Sequence, residues 1–209
     1  MIDTIVFDIG QVLAQFRWQE YLKELGFEED IQKQVADATV LSKWWSEVDR
    51  GLEKMEFEAA MIADHPELAE ELLLFFEKIE AIITTYPYAE PLLKRLKEQG
   101  YKIYLLSNFG NFYFHQNLPK FTFRKYVDGE LISYQIRSIK PEPMIYETLL
   151  TRFHLNPEQI AFLDDNPKNV EAARKIGMNG IVFENLEQAL EELKKFGVEV
   201  DVTDILGNK

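Results

Sequence analysis

The sequence predicts an α/β protein whose mostly parallel sheet is interrupted by a helical insertion. Short β-branched or leucine-rich runs alternate with helical stretches from residue 87 onwards, which is typical of parallel strands covered by helices. Between the first such run and the others, residues 17–86 place apolar side chains three and four positions apart, the spacing of amphipathic helices. We therefore expect a core domain of residues 1–14 and 87–209 and a helical cap domain of residues 15–86.

The first predicted strand lies within residues 5–13, where an apolar run reaches a carboxylate at Asp8 and breaks at Gly10. In an open parallel sheet, ligands bind in the crevice outside the carboxyl ends of the strands, so Asp8 would be well placed for chemistry. Aspartate and glycine after an apolar run are also ordinary turn residues. Taken alone, this run leaves open whether Asp8 is catalytic or only caps a turn.

The segment after residue 87 supplies the remaining strands and helices. The predicted order is helix 89–99, strand 101–106, a helix ending near 153, strand 160–163, a helix from 166 to about 176, strand 180–183 and helix 187–196. The first strand of this series is followed by Ser107 and Asn108, and the second by Asp164 and Asp165. Residues 109–126 are unusually aromatic, and we expect these rings to pack in the core or in loops.

Size, charge and composition limit the possible functions. A chain of 209 residues can hold one moderate domain and a smaller inserted one. It has no cysteine, which excludes disulfides and thiolate metal sites. A net charge of −13 argues against binding to nucleic acid or an anionic membrane and favours a divalent cation. Without a signal peptide or an apolar run of membrane length, we expect a cytoplasmic protein that acts on a small molecule.

Four polar clusters, each next to a predicted strand or a helix start, occur along the chain in the order Asp8, Ser107-Asn108, Lys140-Pro141 and Asp164-Asp165. In order and spacing they resemble the four motifs of the haloacid dehalogenase-like (HAD) hydrolase superfamily, over nearly the whole chain from Val6 to about Phe183. The resemblance implies a Rossmann-like, doubly wound parallel sheet with a helical cap inserted after the first motif.

The predicted cap contains a second pattern, in which Trp44-Trp45 is followed by Asp49-Arg50-Gly51 and Glu56-Phe57. It resembles the cap signature of one HAD subfamily, which includes sugar phosphatases and the phosphatase domain of soluble epoxide hydrolases. Tryptophans in a helical bundle more often belong to the core, so substrate contact by any of them is a hypothesis to test. The candidate substrate contacts from the cap are Arg17, Trp18, Trp44, Trp45 and Arg50.

The resemblance implies a phosphatase in which Asp8 is the nucleophile and Mg²⁺ is the cofactor. A phosphate monoester is a dianion, so attack by a carboxylate requires a cation that suppresses the repulsion. The implied metal ligands are Asp8, Asp165 and the backbone carbonyl of Gly10, all oxygen donors of the kind that Mg²⁺ prefers. The implied phosphate-binding residues are Ser107, Asn108 and the catalytic Lys140, with Asp164 and Asn169 supporting the metal ligands.

Three residues depart from the family pattern. Gly10 stands where phosphatases place a second aspartate that protonates the leaving oxygen, and general acid–base catalysis is worth roughly 10²- to 10⁴-fold. The glycine therefore implies a slower reaction, or a leaving group that departs easily, such as an anomeric sugar oxygen. Arg137 and Ile139 stand where a glycine and a basic residue are expected before Lys140, which leaves the geometry and substrate contacts of that loop open.

The leading hypothesis is a Mg²⁺-dependent phosphatase of a small phosphorylated metabolite, in particular a sugar phosphate, that forms an aspartyl-phosphate intermediate. One alternative is a metal-independent 2-haloacid dehalogenase, which uses the same aspartate. The pair Asp164-Asp165 argues against it, because two further carboxylates would repel Asp8 unless a cation were present. Another alternative is a catalytically weak regulatory or binding protein, which the glycine at position 10 supports.

Overall fold

A five-stranded parallel sheet lies at the centre of the computed structural model, which describes residues 1–201. The strands along the chain are β1 (Thr4–Phe7), β2 (Ala14–Phe16), β3 (Ile83–Thr85), β4 (Lys102–Ser107), β5 (Gly129–Ile132), β6 (Ile160–Asp164) and β7 (Asn179–Val182). Their order in the large sheet is β5-β4-β1-β6-β7, while β2 and β3 form a separate two-stranded sheet. The predicted α/β, Rossmann-like architecture is confirmed, although residues 202–209 of the predicted core domain lie outside the described residues.

Strand β1 occupies the middle of the large sheet. All four of its residues are buried, as expected for a parallel strand that is covered on both faces. Val6 is level with Tyr104 of β4 on one side and with Phe162 of β6 on the other. Because the three strands are parallel, their carboxyl ends meet at one edge of the sheet. This register brings Asp8, Ser107 and the residues that end β6 to the same place.

Helices cover both faces of the large sheet. The α-helices of the described chain are α1 (Trp18–Glu24), α2 (Glu29–Ala38), α3 (Lys43–Asp49), α4 (Lys54–Asp64), α5 (Ala69–Glu77), α6 (Ala89–Glu98), α7 (Asn111–Asn117), α8 (Pro143–Phe153), α9 (Pro167–Lys175) and α10 (Leu186–Lys195). Successive strand residues point to opposite faces. Val6 therefore shares an apolar cluster with Tyr146 of α8, while Phe7 shares the other with Leu93 of α6. No helix within residues 1–201 is both long and apolar enough to cross a membrane.

Helices α1 to α5 occupy the segment that the apolar spacing predicts to be helical. Their shared core is aromatic: the rings of Tyr21 and Phe75 meet edge to face at 5.4 Å, and so do those of Phe57 and Phe76. The Tyr21 hydroxyl donates a hydrogen bond to the Phe75 carbonyl at 2.6 Å, which satisfies a buried polar group. The division into a core and a cap domain at residues 14 and 87 stays a prediction.

The antiparallel ribbon of β2 and β3 joins the helical insertion to the sheet. Phe16 pairs with Ile83, and the Tyr86 amide extends the pairing by donating to the Leu13 carbonyl at 3.0 Å. The sequence pattern does not predict this ribbon, because each strand is only three residues long. The chain therefore enters and leaves the insertion side by side.

Strand β5 is a second element that the sequence pattern misses. It is short, and its two fully buried residues, Leu131 and Ile132, make too brief an apolar run to be distinctive. It begins at Gly129, where an added Cβ would lie 2.5 Å from the ring of Phe153. A glycine is needed there because the end of α8 packs directly on the backbone of the strand.

Candidate active site

Asp8 follows β1 directly and is held in a single orientation. Its Oδ1 accepts hydrogen bonds from the Ile9 amide and from the Ser107 hydroxyl, both at 2.7 Å. Its Oδ2 lies 2.9 Å from Nζ of Lys140. Only 7% of the residue is exposed, so these contacts replace most of its hydration. The predicted nucleophile is therefore buried and oriented at the carboxyl edge of the sheet.

Lys140 is buried at the centre of the site. Its ammonium donates to the Leu106 carbonyl at 2.8 Å and to Asp164 Oδ2 at 2.6 Å, besides its ion pair with Asp8. The side-chain amide of Asn108 makes two hydrogen bonds with the Lys140 backbone. Its Nδ2 donates to the Lys140 carbonyl at 3.0 Å, and its Oδ1 accepts from the Lys140 backbone N–H at 2.8 Å. The side chain of Asn108, predicted to bind phosphate, thus makes contacts that position Lys140.

The acidic pair at the end of β6 divides into a buried and an exposed member. Asp164 is fully buried and accepts hydrogen bonds from the Asn166 amide at 2.9 Å and from Asn169 Nδ2 at 3.0 Å, besides the one from Lys140. Asp165 is exposed. Lys140, Asn166 and Asn169 therefore enclose Asp164, whereas the Asp165 carboxylate is open to solvent; the supporting roles of Asp164 and Asn169 stay predictions.

The site carries an excess of negative charge. Asp8, Asp164 and Asp165 each offer a carboxylate oxygen, and these atoms all lie within 4.8 Å of one another. The Lys140 ammonium is buried among them. The pKa of Asp8 is raised to about 7, chiefly by burial; Lys140 opposes this rise and Asp164 contributes to it. Burial and then Asp164 also raise the pKa of Asp165.

These residues fit a divalent cation. One ammonium facing three carboxylates leaves two negative charges for a cation to balance, and hard oxygen ligands suit Mg²⁺. The Asn169 Oδ1 atom is buried and accepts no hydrogen bond from the described residues. An orphaned oxygen of this kind is suited to a water molecule of a metal hydration shell. The Gly10 carbonyl likewise accepts no hydrogen bond within residues 1–201.

In the metal-free protein, we expect the free energy of unfolding to fall as pH rises from about 4 to about 7 because of Asp8. Its pKa is 3.8 in the unfolded reference and about 7 in the fold, so the folded state holds a proton that the unfolded chain has released. Denaturant unfolding with a chelator, at about pH 5 and about pH 7, measures this trend. Asp8→Asn removes the group, so the wild type should lose more stability than this variant; an equal loss in both would contradict the prediction.

A cavity of about 350 Å³ opens above Asp8. Its floor is polar and includes Asp8, Lys140 and Asp165. Its walls are largely apolar and include Phe16, Trp45, Ile79, Ile82, Phe109 and Tyr113. These side chains come from the insertion and from the aromatic segment 109–126. In that segment the rings of Phe114, Phe121 and Phe123 are buried in the core, whereas Phe112 is exposed. The site therefore joins charged groups to an apolar chamber, as small-molecule sites commonly do.

Of the five cap residues proposed as substrate contacts, the structure brings Trp45 to this cavity. The other four lie elsewhere: Arg17 pairs with Glu24, Trp18 lines a separate surface groove, Trp44 donates to Asp64 at 3.1 Å, and Arg50 pairs with Glu142. Successive residues of a helix point about 100° apart, and in α3 this directs Trp45 to the cavity and Trp44 to Asp64 at the end of α4.

Asp49 is a cavity residue that the site prediction omits. It is the last residue of α3, half-buried, and it lines the same cavity as Asp8. Burial raises the pKa of Asp49 to about 7, and the charge of Asp8 adds to the rise while Lys140 opposes it. In the sequence, the signal was an acidic residue at a helix end just before Gly51, in a chain that lacks an acid at Gly10.

The loop before Lys140 contains two of the residues that depart from the family pattern, Arg137 and Ile139. Arg137 adopts the left-handed conformation, with φ of 53°, which is the backbone geometry that a glycine would favour at this position. The amide of Ile139 donates to Glu142 Oε2 at 3.3 Å. The loop thus keeps a glycine-like turn without the glycine, and its backbone is tied to the start of α8.

Comparison with known proteins identifies the family. A family model described as haloacid dehalogenase-like hydrolase matches residues 2–177. This chain belongs to the haloacid dehalogenase-like hydrolases, and the resemblance carried by the four motifs is confirmed.

Three relatives share parts of the sequence. Bifunctional epoxide hydrolase 2 of Mus musculus is 41% identical over 34% of this chain and 13% of that protein. Flavin mononucleotide hydrolase 1 of Arabidopsis thaliana is 28% identical over 71% of this chain and 63% of that protein. A sesquiterpene phosphatase of Aspergillus oryzae is 26% identical over 84% of this chain and 87% of that protein. The chain thus spans less than two thirds of the mouse and Arabidopsis proteins.

Solved structures share the fold. A HAD family enzyme from Bacteroides thetaiotaomicron, in complex with magnesium, superposes with a TM-score of 0.69 at 22% identity, covering 86% of this chain and 92% of that one. An L-2-haloacid dehalogenase from Xanthobacter autotrophicus superposes with a TM-score of 0.64 at 19% identity, covering 98% of this chain and 86% of that one. At such identities the likeness establishes the fold and leaves the reaction to be argued from the site.

Proposed function

We propose that this protein is a Mg²⁺-dependent phosphatase that hydrolyses a small phosphorylated metabolite through an aspartyl-phosphate intermediate. The observation that carries the proposal is the buried, oriented Asp8 carboxylate, which faces a cavity and shares its surroundings with two further carboxylates and one ammonium. A buried carboxylate that is held in one orientation and open to a cavity is suited to nucleophilic attack. The names of two relatives, a flavin mononucleotide hydrolase and a sesquiterpene phosphatase, support the same reaction class.

Asp8 attacks the phosphorus, and the bond from phosphorus to the ester oxygen breaks. The ammonium of Lys140, 2.9 Å from Asp8 Oδ2, favours the ionised carboxylate and offers positive charge to the phosphoryl oxygens. The Ser107 hydroxyl fixes the orientation of Asp8 by donating to its Oδ1 atom. Water then hydrolyses the aspartyl-phosphate, which releases phosphate and restores the Asp8 carboxylate.

Asp8, Asp165 and the carbonyl of Gly10 hold the metal in this proposal. Asp164 is unsuited to that role, because each of its two oxygens already accepts two hydrogen bonds, whereas Asp8 Oδ2 has a single polar contact in the described chain, with Lys140. Mg²⁺, when bound, neutralises the negative charge of the phosphate and of the carboxylates. The strongly negative chain favours a small-molecule substrate over nucleic acid or an anionic membrane. A cytoplasmic location stays a prediction.

The cavity bears on the substrate class. A sugar phosphate remains the substrate that the cap signature suggests, but the walls formed by Trp45, Phe109 and other apolar residues favour a leaving group with an apolar or aromatic face. Flavin mononucleotide and sesquiterpenyl phosphates, named in two relatives, carry such faces. A panel of sugar phosphates, flavin mononucleotide and prenyl phosphates, ranked by kcat/KM, distinguishes the two substrate types.

The 2-haloacid dehalogenase alternative makes a different demand on the site. It requires Asp8 to react without a cation, although Asp164 and Asp165 lie within 4.8 Å of it. Turnover of p-nitrophenyl phosphate with and without Mg²⁺, beside 2-chloropropionate, tests both reactions. Mg²⁺-dependent release of p-nitrophenol is expected. Release of chloride with no phosphatase activity would overturn the proposal, and no turnover of any substrate would favour a regulatory role.

Asp165→Asn is expected to weaken Mg²⁺ binding by about tenfold or more while leaving the fold intact. Asp165 is exposed, and the amide has nearly the same shape but no charge for the cation. Isothermal titration with Mg²⁺ measures the change. Asp37→Asn, an exposed position on α2, is the matched control and should bind Mg²⁺ like the wild type. Unchanged affinity in Asp165→Asn would contradict the assignment of this ligand.

A further inference from the structure

We propose that Asp49, which comes from the helical insertion, is the general acid that protonates the leaving oxygen in place of the residue missing at Gly10. This inference rests on the proposed phosphatase function. Its starting point is geometric: the last residue of α3 projects into the cavity whose floor contains Asp8 and Lys140. A leaving group bound in that cavity would share it with both the nucleophile and Asp49.

Contacts with the loops that follow strands β4 and β5 fix the end of α3, where Asp49 lies. The hydroxyl of the fully buried Ser133 donates to the Asp49 carbonyl at 2.5 Å and accepts from the Phe109 amide at 2.9 Å. Val48 packs so closely on Gly110 that any side chain at position 110 would overlap it. Together these contacts fix the position of the Asp49 backbone beside the cavity.

The two residues after Asp49 also contact the part of the chain that follows strand β5. Arg50 Nη1 donates to Glu142 Oε2 at 3.0 Å, and the second guanidinium nitrogen pairs with the other carboxylate oxygen. Gly51, with φ of 101°, turns the chain against the Tyr134 carbonyl, 3.4 Å from where a Cβ would stand. Such bidentate pairing and close packing hold a group in place without ordering it anew for each turnover.

The carboxyl of Asp49 is unengaged. It makes no hydrogen bond or ion pair with any residue in the described range, including Asp8 and Asp165. Gln11, another polar residue of the cavity, is committed: its Nε2 donates to the Phe16 carbonyl at 3.0 Å, and its Oε1 accepts from the Tyr86 hydroxyl. Asp49 is thus a free carboxyl group whose proton has no other acceptor among residues 1–201.

The surroundings of Asp49 favour its protonated form. Burial raises its pKa to about 7, with Asp8 adding to the rise and Lys140 opposing it. The neighbouring cation Arg50 pairs with Glu47 and with Glu142 and makes no ion pair with the Asp49 carboxylate, which leaves Lys140 to oppose the rise. A general acid works best when its pKa lies near the pH of the reaction.

The proton transfers balance over the whole reaction. As Asp8 bonds to phosphorus, the electron pair of the ester bond goes to the leaving oxygen, and the Asp49 proton joins it to release the alcohol. Asp49, now a carboxylate, accepts a proton from the water that attacks the aspartyl-phosphate. Phosphate departs, Asp8 is restored, and Asp49 is protonated again. One ester and one water become one alcohol and one phosphate.

The decisive measurement compares Asp49→Asn with the wild type on phosphate esters of graded leaving-group pKa, from activated aryl phosphates to alkyl phosphates. The variant should lose roughly 10²- to 10⁴-fold in kcat/KM on alkyl esters and only a few-fold on the most activated aryl ester. In the wild type, kcat/KM should fall at high pH as Asp49 ionises, and the profile of the variant should lack this fall. The thermal unfolding midpoint and the Mg²⁺ affinity should not change. Asp37→Asn, exposed on α2, is the control for the amide substitution.

Gly10→Asp supplies a gain-of-function arm. An added Cβ at Gly10 meets no atom within 4 Å, so an aspartate fits the space. In the Asp49→Asn background it should restore at least about tenfold of the lost activity on alkyl esters. An equal loss for every leaving group in Asp49→Asn would overturn the role of Asp49 and leave the phosphatase proposal standing. Absence of turnover by the wild type on every ester would overturn the phosphatase proposal and this inference with it.

Discussion

Asp8→Asn should abolish phosphatase turnover, lowering kcat by more than about 10³-fold, as removal of a nucleophile does in other enzymes. Asparagine has nearly the same shape, so it can still accept the Ile9 and Ser107 hydrogen bonds, but it cannot form an acyl-phosphate. The fold should persist, because the Lys140 ammonium keeps its contacts with Asp164 and Leu106. Steady-state kinetics measures the loss, and mass spectrometry after acid quench should detect phosphorylated enzyme in the wild type alone.

Asp3→Asn is the matched control for this substitution. Asp3 precedes the same strand at its opposite end, where its carboxylate is 3.4 Å from the exposed Lys102 ammonium. Its replacement should change neither turnover nor phosphorylation, because it is remote from the carboxyl edge of the sheet. An Asp8→Asn enzyme that kept a tenth of the wild-type activity would show that another group attacks the phosphorus.

Lys140→Met should have the largest effect on stability, about 3–5 kcal/mol, since breaking a buried ion pair leaves its partners uncompensated. The ammonium contacts Asp8, Asp164 and the Leu106 carbonyl in a fully enclosed position. Methionine fills similar space but offers no proton donor. Denaturant unfolding of the metal-free protein measures the loss. Lys102→Met, which breaks an exposed pair at 3.4 Å, is the control and should cost less than about 1 kcal/mol.

The pH dependence of Lys140→Met distinguishes lost charge pairing from lost packing. Without the ammonium, Asp8 and Asp164 remain buried together, so protonation of Asp8 relieves the repulsion. The destabilisation should therefore shrink as pH falls through the raised pKa of Asp8. If the variant were equally unstable at about pH 5 and about pH 8, the role of Lys140 would be steric and not electrostatic.

The strands that carry the site can be predicted because of how they are buried. β1 and β6 are covered on both faces, so their sequences are continuous apolar runs that end abruptly at Asp8 and at the pair Asp164-Asp165. Once such strands are taken as parallel, the meeting of their polar ends at one edge follows from topology alone. β5 and the β2–β3 ribbon escape the same reasoning, because their runs are too short for any period to be visible.

The arrangement of the polar groups is less accessible to sequence reasoning. Asn108 binds the backbone of Lys140, a residue 32 positions further along, and no local pattern encodes that contact. Asp49 reaches the cavity because Ser133 and Gly110 dock the end of α3, and both belong to distant segments. Which side of a seven-residue helix faces a cavity depends on such contacts, and for this reason Trp45 and Trp44 could not be told apart.

The antiparallel ribbon has a consequence for how this protein can change over evolution. Phe16 lies opposite Ile83, and the Arg17 amide donates to the Ile82 carbonyl at 2.9 Å, so the two ends of the helical insertion stand about one strand spacing apart, roughly 4.8 Å. A segment spliced between such ends can lengthen, shrink or be exchanged without redirecting the chain of the sheet, because loop closure depends only weakly on length. Asp49 limits such exchange, because in the mechanism proposed here it is the proton donor and it belongs to the insertion. A transplanted insertion would have to supply its own proton donor, so substrate specificity and acid catalysis would be inherited together.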